Sequence, residues 1–165
     1  LAMDADNQAI LSAVMTESER LDGNYLRPLV NAINGALGQL TGDGAYDKKD
    51  CYRVAYERGA KPVFPPQHNA IVQRNKYKKE QALLPRDEAI ELMNAGDKDD
   101  QRRAWKRQTN YHRRSLIETM MSRMKSLFGD EMRSRCWENQ QTDLLIRCYA
   151  INRMNQLGLP ISEAI

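Results

Sequence analysis

The chain has 165 residues, 41% of them apolar, and a formal net charge of +3. That is enough for one domain, or one domain with an inserted element, to bury a core of its own. Cys51, Cys136 and Cys148 are too few and too irregularly spaced for a disulfide framework, and no CxxC pair or His/Cys cluster suggests zinc. No apolar run approaches the length of a membrane span, and the opening "LAMDADNQAILSAVMT" lacks the basic flank and cleavage site of a signal peptide. The expectation is a cytoplasmic protein with no membrane partner.

In chain order, "LAMD" and "AILSAVMT" are short apolar runs separated by the polar "ADNQ", the pattern of two antiparallel strands joined by a hairpin. The chain thus begins at Leu1 inside strand-like sequence, which suggests that an N-terminal region lies outside it. From Asp22 to Leu37 the apolar residues Tyr25, Leu26, Leu29, Val30, Ile33 and Leu37 recur at helical spacing, predicting an amphipathic helix ended by Gly38. "GQLTGDGAYD" gives a brief strand that stops at a glycine-flanked acid, Asp43. "KKDCYRVAYERG" reads as a helix with Gly59 after its end, and "KPVFPP" as a strand closed by two prolines. Asp47 reads as the cap of that helix.

Strand, strand, helix, strand, helix, strand is the order of an α/β domain with part of its sheet parallel. Residues 67–110 break the pattern: they are polar and charged, only "RDEAIELM" looks helical, and the segment reads as an insertion or long connection. Two strong helices follow, about Tyr111 to Phe128 and Trp137 to Gln156.

Charge is unevenly distributed. Gln101 to Arg135 holds ten Arg and Lys against three acids, which points to a polyanionic partner, with a solvated helix face as the alternative. Within it, "YHRRSLIETMMSRMK" carries the acid Glu118 among cations. At ~100° per residue, Tyr111, Arg114, Glu118 and Lys125 share an arc of roughly 60°, while Leu116, Met120, Met124 and Leu127 form a separate, core-facing stripe. Taken alone, Arg114 and Glu118 are an ordinary i, i+4 surface pair worth a few tenths of a kcal/mol. Asp43, however, sits at a strand end between glycines that let a ligand approach, where α/β sheets place their sites. Two carboxylates beside a basic surface suit Mg²⁺-dependent phosphodiester chemistry.

The spacing Tyr111, two residues, Arg114, three residues, Glu118, six residues, Lys125 resembles the Y-(2)-R-(3)-E-(6)-K signature of bacterial insertion-sequence transposases of the DDE class. "DGAY" from Asp43 to Tyr46 is similar to that group's second-aspartate motif, and "YHRRSLIET" and "NRMNQLGLP" resemble its C-terminal half, so the likeness covers nearly the whole chain. The resemblance implies an RNase H-like core with a mixed sheet flanked by helices. Residues 1–165 would then be part of a catalytic domain that cuts DNA at transposon terminal repeats and joins the 3′-hydroxyl to target DNA, as a homodimer on DNA. It further implies Mg²⁺ (or Mn²⁺) held by two Asp and one Glu, with Asp43 the second acid and Glu118 the third. Tyr111, Arg114 and Lys125 would contact DNA near the cleaved phosphate, with His112 and Arg113 beside them.

The departure is at the first acid. In the family it lies on the first strand in a "D-S/G-T" context, and this sequence has no such motif. Asp4 and Asp6 correspond to the second strand and its hairpin, where a turn role suits Asp4 better than a metal role. The chain therefore resembles a transposase without its N-terminal DNA-binding region and first catalytic strand, leaving a strand edge unpaired beside Asp43. The expectation is that it is catalytically incompetent by itself. Two other readings are a non-catalytic DNA-binding remnant and a metal-dependent nuclease, the latter disfavoured by the signature spacing. Lys76, Lys78 and Lys79 are further DNA-contact candidates without a specific spacing.

Overall fold

A computed structural model describes residues 1–16, 22–73 and 81–158. The chain forms two compact units, one from the described residues of 1–18 and 115–165, the other from those of 19–114.

In the first unit, strands β1 (Ala2–Met3) and β2 (Ile10–Ser12) pair antiparallel, as the two apolar runs around a polar turn predict. The hairpin closes through Asp4 N donating to Ala9 O at 2.9 Å. Asp4 Oδ1 accepts from Asp6 N and Asn7 Oδ1 from Ala9 N, both at 2.8 Å. These are Asx turns, and they give Asp4 the turn role read from the sequence. Helices α5 (Ser115–Phe128) and α6 (Trp137–Leu157) complete the unit.

Its core gathers Ile10, Met120, Met124, Cys148 and Ile151. The stripe on α5 is thus half as expected: Met120 and Met124 are buried, but Leu127 is 48% exposed and Phe128 packs inward instead. Buried Arg147 holds the α5–α6 connection by donating to Gly129 O at 3.2 Å and Glu131 O at 2.9 Å, and its cation lies 5.7 Å from the Phe128 ring centre. Along β2, the Asn152 amide donates to Ile10 O (2.8 Å) and accepts from Ile10 N (2.7 Å). A primary amide offers the same donor and acceptor as a peptide group, so this side chain stands where a neighbouring strand would otherwise pair.

In the second unit, β3 (Gln39–Thr41) and β4 (Lys61–Val63) pair parallel in the register Gln39↔Lys61, Leu40↔Pro62, Thr41↔Val63. They are joined by α2 (Lys49–Glu57), which ends at Gly59 with φ 65°, a conformation glycine adopts at little cost. The described strands make two two-stranded sheets, one antiparallel and one parallel, not the single mixed sheet expected, because each strand, two or three residues long, pairs along one edge only.

The helix expected over Asp22–Leu37 is shorter. A 3₁₀ turn at Asp22–Tyr25 leads into α1 (Leu26–Asn31), which stops well before Gly38. Gly35 turns left-handed at φ 88°, and Arg58 Nη2 donates to Ile33 O and Gly35 O at 2.9 and 3.0 Å, fixing carbonyls in a non-helical path. The segment 67–110 also holds more helix than read from its composition: a 3₁₀ turn at Gln81–Leu83, α3 (Leu84–Asn94) and α4 (Lys98–Gln108). Asp97 caps α4, its carboxylate accepting from Asp99 N and Asp100 N, with acids in the first turn and Lys106 and Arg107 in the last, complementing the helix dipole. Val63, Ala89, Met93 and Trp105 pack between α3, α4 and β4, and Leu26, Val30, Cys51, Tyr52, Val54, Phe64 and Leu83 form the larger core.

Among the described residues no helix is long and apolar enough to cross a membrane. Cys51 and Cys148 are buried free thiols and Cys136 is exposed. Burial pushes the Cys51 thiol up to about 11. Because folding raises this pKa, the stability from keeping the thiol neutral is full below the unfolded value of about 8.5. It is lost as pH climbs toward about 11. A disulfide reagent at neutral pH should label Cys136 rapidly and Cys51 and Cys148 only on unfolding; a Cys136→Ser chain that keeps its fast phase would refute this burial pattern.

Candidate functional site

Asp43 lies just past the carboxyl end of β3, where Gly42 N still donates to Val63 O of β4 at 3.2 Å. Its φ and ψ of −81° and −174° make it the cap of a 3₁₀ turn, Gly44–Tyr46, and its Oδ1 accepts from Ala45 N at 2.9 Å. Among the described residues Oδ2 takes no hydrogen bond, so one hard carboxylate oxygen of a half-buried acid stays available at the end of a parallel strand pair. This donor fits a divalent cation such as Mg²⁺ as one oxygen ligand.

Of the two flanking glycines, Gly42 does not act as the sequence suggested. A Cβ on Gly42 would sit 2.7 Å from Tyr46 Cδ2 and 3.2 Å from Phe64 Cδ1, so the missing side chain makes room for an aromatic ring rather than for a ligand. Tyr46 stacks on Phe64 with centroids 5.9 Å apart and thereby pins the turn that Asp43 caps. A Cβ on Gly44 would meet nothing closer than Pro65 O at 3.8 Å, so this glycine does leave open space beside Asp43.

Asp47, at the far end of this turn, is not the cap of α2; Lys48 holds that position and provides no side-chain bond. The Asp47 side chain is instead 1% exposed and accepts from Arg86 Nε (2.7 Å) and Tyr52 OH (3.2 Å) at Oδ1, and from Gln67 N (3.1 Å) and Arg86 Nη2 (3.3 Å) at Oδ2. Both oxygens are therefore saturated. Tyr52 OH lies 3.3 Å from Phe64 O as well, and burial followed by the Asp47 charge raises its pKa far above the usual phenol value.

The basic signature residues divide between the two units. Tyr111–Arg114 is a 3₁₀ turn of the second unit, and Glu118 and Lys125 lie on α5 of the first. The single stripe drawn at α-helical pitch is corrected accordingly, because at about three residues per turn Tyr111 and Arg114 eclipse each other. The Arg114 cation indeed sits 5.9 Å from the Tyr111 ring centre, and Lys106 Nζ 5.8 Å from it. That ring packs on buried Trp105 with centroids 5.5 Å apart, so Tyr111 anchors the turn by its ring while His112 is exposed and Arg113 half-exposed. The turn is tied to β3: Gln39 Nε2 donates to Thr109 O at 3.0 Å, and Asn110 at φ 53° redirects the chain from α4 into it. The strand leading to Asp43 and the basic turn thus share one bond through Gln39.

On α5, Glu118 is an exposed acid of the first turn, and Lys125, seven residues on, faces solvent and lies 3.5 Å from Asp130. Both side chains of that pair are mostly exposed, so it contributes about 0–1 kcal/mol. Among the described residues no group of three or more His, Cys, Asp or Glu comes together as a metal cluster. Lys76, Lys78 and Lys79 lie outside the described residues. Sequence reasoning missed Lys106, Gln39 and the Asp47–Arg86 pair; the cue for Lys106 was the cap sequence "GDKDD" ahead of a basic last turn.

A family model described as "Transposase DDE domain" matches residues 1–153. No solved structure matches the chain.

Removing one partner of a buried, doubly hydrogen-bonded ion pair leaves an uncompensated charge, so Arg86→Met should cost about 3–5 kcal/mol in denaturant unfolding. Gly42→Ala should cost about 1–3 kcal/mol by overpacking against Tyr46. An unchanged midpoint in either variant would contradict the packing described.

Proposed function

The chain belongs to the transposase DDE-domain family, and from that membership we propose that it serves DNA transposition with Asp43 and Glu118 as acid ligands of Mg²⁺ or Mn²⁺. Members of this class bind DNA, use divalent metals and transfer phosphodiester bonds. The observation that carries the reading for this chain is Asp43: an acid at the carboxyl end of a parallel strand pair, held by one backbone N–H and keeping one oxygen available. The antiparallel hairpin, the parallel pair with its crossing helix and the later acid-bearing helix follow the element order of an RNase H-like core, which supports that architecture.

When bound, divalent ions would activate the attacking oxygen and stabilise the leaving one. The chain's own cations would hold the DNA backbone. Tyr111 orients the turn bearing His112, Arg113 and Arg114, Lys106 adds a charge beside it, and Lys125 contributes from α5. Phosphate contacts of this kind set register and affinity rather than sequence preference. The same family reading implies a dimer that holds two terminal repeats.

A non-catalytic DNA-binding role is the second reading, in which the basic turn Tyr111–Arg114 contacts phosphates and the acids hold no metal. The two readings differ in their response to Mg²⁺. In the catalytic reading Mg²⁺ tightens DNA binding by neutralising Asp43 and Glu118, and Glu118→Gln removes much of that Mg²⁺ effect. In the other reading Mg²⁺ acts only as a DNA counterion that weakens binding, and Glu118→Gln leaves that Mg²⁺ dependence unchanged.

With two acids in family positions instead of three, the purified chain should leave linear terminal-repeat DNA uncut in Mg²⁺; nicking would overturn the two-acid account. Binding should weaken with salt, and replacing Arg113 and Arg114 by Ala should reduce the slope of log K against log[salt] by about 1–2. A salt-independent affinity would remove the basic turn from the interface.

A further inference from the structure

We infer that Arg86 is a positioning residue for Asp43, acting from the 67–110 segment through the buried carboxylate of Asp47; this rests on reading Asp43 as a metal ligand. The turn between β3 and α2 is fixed at both ends. At its start Gly42 N is bonded to Val63 O, and Asp43 Oδ1 accepts from Ala45 N. Tyr46 N then donates to Asp43 O at 3.1 Å, and Asp47 N to Gly44 O at 3.2 Å. Lys48 N donates to Tyr46 O at 2.7 Å, with Asp47 at φ −71° and ψ 60°, an inverse γ-turn centred on the buried acid.

No regular helix or ladder holds this last residue, so its orientation depends on where its side chain is anchored. That anchor is the Arg86 guanidinium, whose Nε and Nη2 reach both Asp47 oxygens, while its Nη1 donates to Ile71 O at 3.2 Å. Tyr52 OH and Gln67 N complete the carboxylate's shell. A planar fork fixes a carboxylate in direction as well as distance, which a lysine ammonium cannot do. The next residue, Asp87, is also buried and accepts from Gln73 N at 3.0 Å, so the start of α3 is itself held in place. A charged group from the inserted segment thus sets the four-residue path from Asp47 back to Asp43, in the way outer-shell groups orient metal ligands.

The test uses the whole chain and Mn²⁺ alone, read by paramagnetic broadening of backbone amide signals. In the parent chain the amides of residues 42–46 should broaden first, and Asp43→Asn should abolish that local effect. If the local broadening is missing or survives Asp43→Asn, the metal reading of Asp43 fails. Given that broadening, Arg86→Lys should keep its dispersed spectrum and raise the Mn²⁺ midpoint at residues 42–46 by about tenfold. A purely structural pair would lower the melting temperature and leave the midpoint in place, which overturns the inference while leaving Asp43 as a ligand. Should Arg86→Lys lose its dispersed spectrum, Tyr52→Phe decides instead: it removes one hydrogen bond to Asp47, and a raised midpoint supports the inference where an unchanged one overturns it.

Discussion

The second unit depends on one buried charge pair. Asp47 is withdrawn from water at the end of a tight turn and is tolerable there only because Arg86, Tyr52 and Gln67 together saturate its oxygens. Those partners come from three different places: the helix after β3, the strand exit after β4 and the start of α3. One carboxylate therefore joins the strand–helix–strand core to the segment that follows it. Such a pair adds little net energy against an apolar substitute, yet it penalises every arrangement that leaves either charge alone. In this unit it specifies where α3 sits on the core.

The parts of the fold legible in the sequence are those with a strong local period or a decisive backbone residue. The hairpin showed as two apolar runs around a polar turn, and α2 as a helix ended by Gly59, whose positive φ the helix end requires. The limits of α1 were not legible because they are set by Arg58, more than twenty residues away, taking the Ile33 and Gly35 carbonyls. The helix α4 was hidden by its composition: Trp105 is its one fully buried apolar anchor, so an apolar period hardly exists, and its support comes from the Asp97 cap and end charges.

The candidate site was legible as a string and less so as a geometry. The spacing of Tyr111, Arg114, Glu118 and Lys125 stands in the sequence, but a wheel at constant α pitch misplaces its first two members, since they occupy a 3₁₀ turn. Similarly, "GDG" signalled a special backbone around Asp43 but not its purpose, because Gly42 faces the Tyr46 ring. Asp47 looked like a helix cap since it precedes "KKD"; only the three-dimensional approach of Arg86, thirty-nine positions later, reveals it as a buried anion. Side chains that act on distant partners leave no local period to read.

The Asn152 amide on β2 also bears on the order in which the molecule is assembled. It closes a contact across 142 positions of chain, whereas the parallel pair and its crossing helix join residues 39 and 61. Loop closure over the longer span carries the greater entropic cost and slows any structure that waits on it. On a ribosome, the hairpin emerges well before α6 and keeps the β2 groups that Asn152 serves exposed until that helix has been made. Until then those strands present an open edge, and α6 is what closes it.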